Sequence, residues 1–303
     1  LKRAAARPPC PRERTRAAMA RRAAAALGLL SAASAALVRQ EPPKAAEVYA
    51  TMVDASDRFL PGLQALAQSL KRTGTTRPLV VLVDGIPSAD LKATAACMQF
   101  SLVQVPPITN PRPISSRSER AYSKLNVFAL PAQRVVFLDS DMVVLRSIDE
   151  LFRMAPSFMA VPDSAGGCAE LVIPWLKKKC RQFSETVCPG CFNSGLMVFS
   201  PSNATFQDMM GKRTSITSAN GGDQGFLNAY LRGVPAPVHA LDRRFNTFSL
   251  QEETDTGFDL GSVSVVHYSG AAKPWHAVQK HNCPKTRAAF LEFWAAYNRT
   301  CLG

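Results

Sequence analysis

The chain predicts an α/β fold, a sheet flanked by helices, and three observations carry that prediction. Short apolar, β-branched runs alternate with segments of helical periodicity through residue 145, the pattern of strands joined by helices. One run, Val135-Val136-Phe137-Leu138, ends directly in two carboxylates, Asp139 and Asp141. Finally, 303 residues with 47% hydrophobic and 19% charged side chains are ample for a sizeable core. Residues 1–46 read as a leader and linker, and 47–303 as one domain.

Taken in order, Pro42-Pro43 break any helix in the linker, and 48–53 reads as the first strand. Phe59, Leu63, Leu66 and Leu70 recur at helical spacing, so 59–70 is a helix. Residues 79–83 form a second buried strand, closed by the turn Asp84-Gly85. A helix over 91–98, a strand over 101–105 and a proline-rich loop over 106–113 follow. An amphipathic helix over 119–130 leads into the central strand. That strand is apolar throughout, as strands covered on both faces are. Farther on, the pattern predicts a strand at 158–161, a long loop at 166–189 with three lysines and three cysteines, and a strand at 192–199. Ser202 or Asn203 caps a helix over 203–212, and Gly222-Asp223-Gln224-Gly225 opens another over 226–231. A late strand, 263–267, and a closing helix, 286–297, complete the chain.

The net charge of +13 suggests nucleic acid until it is divided. Residues 1–40 hold nine Lys/Arg against one acid, giving +8, and 41–303 hold 27 against 22, giving +5. The excess sits in the leader, so nucleic acid is not an expected partner of the folded part. Within the leader, residues 23–38 are an apolar or small run, short of the roughly 20 apolar residues of a membrane span. A basic segment before it and small residues within it suit a signal peptide or a marginal membrane tether. An organellar transit peptide, for a plastid for example, is the rival, and a leader that is a gene-model artefact would leave a cytoplasmic protein. Of eight cysteines, seven follow the leader. With a secretory leader, disulfides are expected ahead of zinc, and an odd count leaves one thiol free.

The chemistry gathers in four polar clusters: Asp139/Asp141, Asn193-Ser194-Gly195, Gly222-Asp223-Gln224, and His267-x-x-Gly270-x-x-Lys273-Pro-Trp275. Alternate residues of a strand share a face, so both carboxylates can point into one site. Such a pair needs a neutralising charge, and Mg²⁺ or Mn²⁺ with open positions for a diphosphate suits it. Taken singly, each cluster has a plainer explanation: a turn for Asn193, a helix cap for Asp223, a core histidine for His267, a solvated charge for Lys273.

Together, in this order and spacing, they resemble glycosyltransferase family 8, the glycogenin and galactinol synthase family of retaining GT-A enzymes. The resemblance runs over about residues 47–276. It includes Thr51 to Leu70 with Gly62 and Ser69-Leu70, Tyr122-Ser-Lys124-Leu125, Val135 to Asp141, Ile148-Asp-Glu-Leu-Phe152, Phe192 to Val198, Gly221 to Asn228, and His267 to Trp275. It is nearest to the plant and algal glycogenin-like branch, which includes glucuronosyltransferases. The resemblance implies a GT-A fold, with a Rossmann-like mixed sheet in a single domain, and a metal-dependent UDP-sugar hexosyltransferase of the Golgi lumen. Its acceptor would be a glycan, a glycolipid or a small polyol.

By the same resemblance, Asp139, Asp141 and His267 would hold Mn²⁺, or Mg²⁺ in its place, against the phosphates of the UDP-sugar. Lys273, Gly270 and Lys124 would hold phosphate or sugar, and Asn193, Ser194, Asp223 and Gln224 would surround the sugar. Asp223 or Gln224 would lie near the anomeric carbon, with Lys124 beside them. Thr51, Val53 and Asp54 would contact uridine, Ser140 the donor, and Arg117 or Arg120 the donor sugar. One departure stands out: Asn220 replaces an acid often found three residues before the Asp-Gln pair. Two other classes compete. A non-catalytic nucleotide- or glycan-binding protein would keep the same residues. A haloacid-dehalogenase phosphatase would use Asp139 as nucleophile and Asp141 as acid/base, but its motif belongs nearer the domain start and needs a later acidic pair.

Overall fold

The computed structural model describes residues 47–303 except 115–117, 156–157, 164–190, 219, 235–237, 271, 277–281 and 303. The leader with its 23–38 run, the expected 166–189 loop and Arg117 therefore lie outside the described residues. Among the described residues no helix is long and apolar enough to cross a membrane.

A seven-stranded sheet is built from β1 (Glu47–Asp54), β2 (Leu79–Asp84), β3 (Ser101–Val105), β4 (Arg134–Leu138), β6 (Phe158–Pro162), β7 (Phe192–Phe199) and β8 (His239–Ala240), in the order β3-β2-β1-β4-β7-β6-β8. β1 runs parallel to both β2 and β4, β2 runs parallel to β3, and β7 is antiparallel to β4 and β6. From β1 the chain builds outward on one side through β2 and β3, then returns to place β4 on the other side. The reversal between β1 and β4 is a topological switch point, where open α/β sheets leave a crevice beyond the carboxyl ends of their strands.

Both faces are covered, which explains why β2 is apolar over 79–83 and β4 over 135–138. Val81, Val83, Val136 and Leu138 face the layer made by α1 (Leu60–Arg72), α2 (Ala89–Met98) and α6 (Pro284–Cys301). Their alternates Val80, Leu82, Val135 and Phe137 face α3 (Asn203–Lys212), α4 (Asp223–Arg232) and the segment Ala121–Ala129. Burying each such side chain contributes roughly 1.5–3 kcal/mol. That segment is a 3-10 helix where an amphipathic helix was expected. Its buried Tyr122, Leu125 and Phe128 recur every third residue, the repeat that stacks side chains in a 3-10 helix.

The central apolar run does not continue as one strand. It breaks at Asp139–Asp141 and re-enters a second, three-stranded sheet in the order β5-β10-β9, where β5 is Met142–Val144, β9 is Thr247–Phe248 and β10 is Val265–His267. The expectation that the two aspartates share the face of one strand is corrected here. They lie in a turn, with Met142 N–H donating to the Asp139 carbonyl at 3.2 Å. β10 starts at Val265 rather than 263, and β8, β9 and the short helix α5 (Gln251–Thr254) were not anticipated. Elements of two to four residues are too short for periodicity to show. Cys97 and Cys301 form a disulfide between α2 and α6, and Cys283 is a free thiol.

Candidate active site

The carboxyl ends of β1, β2 and β4 open onto a cleft of about 400 Å³. In the aligned strands Asp54 pairs in register with Asp84, so the cleft wall begins with one acid from each end. Asp54 is bonded to Ser56 and Arg58, and Asp84 to Arg120 and, at 2.7 Å, to Ser123 Oγ. Asp139 and Asp141 continue the wall where the chain crosses between sheets.

Two close approaches fix that crossing. A Cβ on Gly62 of α1 would lie 2.5 Å from the Ser140 carbonyl and 2.9 Å from Trp275. A Cβ on Gly195 of β7 would lie 2.5 Å from His267 Cε1 and 2.8 Å from Asn193 Oδ1. Glycine at each position lets a helix and a strand close on the acidic turn.

His267, at the end of β10, is brought to the aspartates by its pairing with Met142. One ligand atom from each of Asp139, Asp141 and His267 lies within 4.8 Å of the others. His267 Nε2 is 3.4 Å from Asp141 Oδ1 and 3.9 Å from Asp139 Oδ2. Two carboxylates and one imidazole are a donor set able to hold a divalent metal ion.

Two lysines balance the acids. Lys124 Nζ lies 2.9 Å from Asp139 Oδ1 and 2.8 Å from Asp223 Oδ2, and Lys273 Nζ contacts Asp141 and donates to the Tyr268 carbonyl at 2.8 Å. Burial works against the charge on Lys124, but Asp139 and Asp223 outweigh it and hold the ammonium above its ordinary pKa. Burial, helped by Asp141, lifts Asp139 above the usual carboxylate range despite Lys124. Burial would lift Asp141 too, yet His267 and Lys273 prevail and hold it well below that range. Gly270 takes φ +88°, a left-handed turn that returns the chain toward Lys273.

The structure sorts the residues expected from the sequence. Val53, Asp54, Arg120, Ser140, Gly270, Lys273, Lys124 and Asp223 line the cleft with Asp139 and Asp141. Thr51 does not reach it: one pleat before Val53, it is wholly buried, with no partner for its hydroxyl. Asn193, Ser194 and Gln224 stand behind the wall. Gln224 Oε1 accepts from Asn193 Nδ2 and Ser194 N, its Nε2 donates to Asp163, and Ser194 Oγ donates to Asp223 at 2.8 Å. Of the Asp-Gln pair, Asp223 is the member that faces the cleft. Asn220 receives the N–H groups of Gly222 and Gly225 at 2.9 Å each, so it caps the start of α4.

Sequence reasoning missed Asp84, Arg58, Phe59 and His276 on the cleft wall, and Asp163 and Asn246 behind it. The end of the 79–84 strand was a signal for Asp84. Nothing local marks Asn246.

A mixed sheet open at its switch point, with a carboxylate turn, an imidazole and lysines at the strand ends, defines a GT-A glycosyltransferase fold. Solved structures agree: the galactosyltransferase LgtC, in complex with donor and acceptor sugar analogs, matches with a TM-score of 0.60 at 20% identity, over 82% of this chain and 95% of that one. The chain belongs to glycosyltransferase family 8, whose profile, described as Glycosyl transferase family 8, matches residues 55–279. A relative named putative UDP-glucuronate:xylan alpha-glucuronosyltransferase 3, from Arabidopsis thaliana, is 30% identical over 82% of this chain and 37% of its own length. Inositol phosphorylceramide glucuronosyltransferase 1 of the same plant is 30% identical over 72% of this chain and 41% of its own. The chain thus spans well under half the length of these relatives.

Proposed function

We propose that residues 47–303 are the catalytic domain of a metal-dependent, retaining glycosyltransferase that moves a hexose or related sugar from a UDP-sugar to a hydroxyl acceptor. The observation that carries this reading is the convergence of Asp139, Asp141 and His267 beside Lys124 and Lys273 at the open edge of the sheet. The three residues would hold Mn²⁺, for which mixed carboxylate and imidazole ligands are apt, whereas Mg²⁺ favours oxygen alone. The bound ion would supply Lewis-acid charge to the leaving diphosphate.

The protein's own groups account for the rest. Lys273, fixed by Asp141 and Tyr268, sets a buried cation beside the phosphate position, where fixed charge is effective because it needs no reorganisation. Lys124 and Ser194 hold the Asp223 carboxylate at the cleft wall, facing positive charge that grows on the anomeric carbon as UDP leaves. Asp54 and Asp84, at the ends of β1 and β2, suit the hydroxyl and N–H donors of a nucleoside.

UDP-glucuronate is the donor we favour. It is named for one relative above, and Arg58 and Arg120, ion-paired to Asp54 and Asp84, line the cleft with side chains 57% and 51% exposed, so their remaining N–H groups suit a sugar carboxylate. A polysaccharide or glycolipid hydroxyl is the matching acceptor class. The Cys97–Cys301 disulfide supports an oxidising, secretory compartment such as the Golgi lumen.

The test is UDP release from UDP-glucose, UDP-galactose, UDP-xylose and UDP-glucuronate, with Mn²⁺ and with EDTA. Metal-dependent release, greatest from UDP-glucuronate and lost in a folded Asp141→Asn variant, is expected. Full activity in that variant would overturn the metal site, and UDP binding without turnover on any acceptor would mark a binding protein.

A further inference from the structure

Five side chains from separate segments form an unbroken hydrogen-bonded chain behind the metal-ligand cluster. Asp163, just beyond β6, accepts from Gln224 Nε2 at 2.8 Å. Gln224 Oε1 accepts from Asn193 Nδ2 at 3.0 Å and from Ser194 N–H at 3.2 Å. Asn193 Oδ1 accepts from Gly195 N–H at 2.9 Å and from Asn246 Nδ2 at 2.8 Å. Asn246 Oδ1 then meets His267 Nδ1 at 2.9 Å.

The direction of this chain is not free. A carboxylate only accepts, and a backbone N–H only donates. Asp163 and the N–H of Ser194 therefore orient the Gln224 amide, and the N–H of Gly195 orients Asn193. Asn246 must give its nitrogen to Asn193, which leaves its oxygen for His267. An oxygen facing Nδ1 requires a proton on Nδ1.

We propose that Asn246 is a positioning residue that keeps a proton on His267 Nδ1, so that Nε2, the nitrogen facing Asp139 and Asp141, is the one left to give its lone pair to a metal ion. The inference rests on reading that triad as a metal site and names the group that orients its histidine. An imidazole binds a metal through one nitrogen while the other donates, and the acceptor of that second bond sets ring angle and tautomer. Asn246 and His267 are each only 4% exposed, so water does not take the amide's place. Gln224 and Asn193 belong to the same chain, so the residues behind the cleft wall and the histidine are held by one set of bonds.

The test uses the full chain labelled with ¹⁵N-histidine. Four histidines are present, and the spectrum of a His267→Gln variant identifies the signal. We expect a proton on His267 Nδ1 in the metal-free protein, and a neutral ring protonated at Nε2 alone would overturn the proposal. Mn²⁺ affinity, read from the paramagnetic resonance of the free ion, should fall by about 10–100-fold in Asn246→Ala. Asn246→Asp, which keeps an acceptor for Nδ1–H, should recover most of that loss. Affinity within twofold of wild type in Asn246→Ala, at unchanged melting temperature, would also overturn the proposal. If the wild-type protein binds no Mn²⁺, the metal reading fails, while the nitrogen spectrum still decides the role of Asn246.

Discussion

Gly195→Ala tests whether the acidic turn, β7 and His267 are packed as tightly as the chemistry requires. The new methyl would lie 2.5 Å from His267 Cε1, 2.8 Å from Asn193 Oδ1 and 2.8 Å from Met142 Cε. The methionine tip can swing away. The other two cannot easily, since His267 is bonded to Asn246 and Asn193 accepts from both Asn246 and Gly195 N–H. Restoring an ordinary contact needs the imidazole to move by about 0.9 Å, and a displacement of that order costs about 10²-fold in catalysis. Overpacking of this kind costs about 1–3 kcal/mol in stability. The assay is kcat/KM for Mn²⁺-dependent UDP release, with Mn²⁺ affinity and thermal unfolding on the same sample. Gly211→Ala is the control, because nothing lies within 4 Å of a methyl there and at this exposed position of α3 the helix should gain about 0.5–1 kcal/mol. If Gly195→Ala kept activity and metal affinity within threefold of wild type, the packing argument for the site would fail.

Three other outcomes follow from the same structure. Lys124→Met leaves Asp139 and Asp223 close together without their shared cation, and should destabilise the metal-free protein by about 3 kcal/mol. Since Asp139 is 28% exposed, that is the low end of the range; added Mn²⁺ should restore part of the lost melting temperature. Cys283 has its thiol pushed up to about 11 by burial and by Glu253 and Glu252. Its alkylation, followed by mass spectrometry of its peptide, should be slow at pH 8 and rise about tenfold per pH unit until that value, because only the thiolate reacts; a rate already levelling near pH 9 would contradict this. Cys301→Ser opens a disulfide between residues 204 positions apart and should lower stability by about 2–4 kcal/mol in chemical denaturation.

Much of the architecture was legible along the chain because its signals are local. The strands at 79–83, 135–138 and 192–199 and the helix α1 follow from apolar runs and spacing that need no knowledge of partners, and α3 from its cap at Ser202 or Asn203. Asp139 and Asp141 stood out as a carboxylate pair at the end of an apolar run, whereas His267 joined them only through the family resemblance. Thr51 was misplaced for a local reason as well: position along a strand sets the face, but only the depth of the crevice says which pleat reaches it. The 119–130 segment was taken for an ordinary helix because three- and four-residue spacings are hard to separate over two or three turns.

By itself, then, the sequence determined an α/β framework and the carboxylate pair at the end of its central strand, and its resemblance to a family supplied the short list of side chains able to do metal-assisted chemistry. Tertiary structure alone decided which of them meet. Lys273 reaches Asp141 across 132 positions and Lys124 reaches Asp223 across about a hundred, through antiparallel β7 and a second sheet that periodicity cannot announce. Asn246 shows the limit most clearly. An asparagine before a two-residue strand carries no local signal, and its role exists only because folding sets its amide between Asn193 and His267, where hydrogen-bond direction leaves it one orientation.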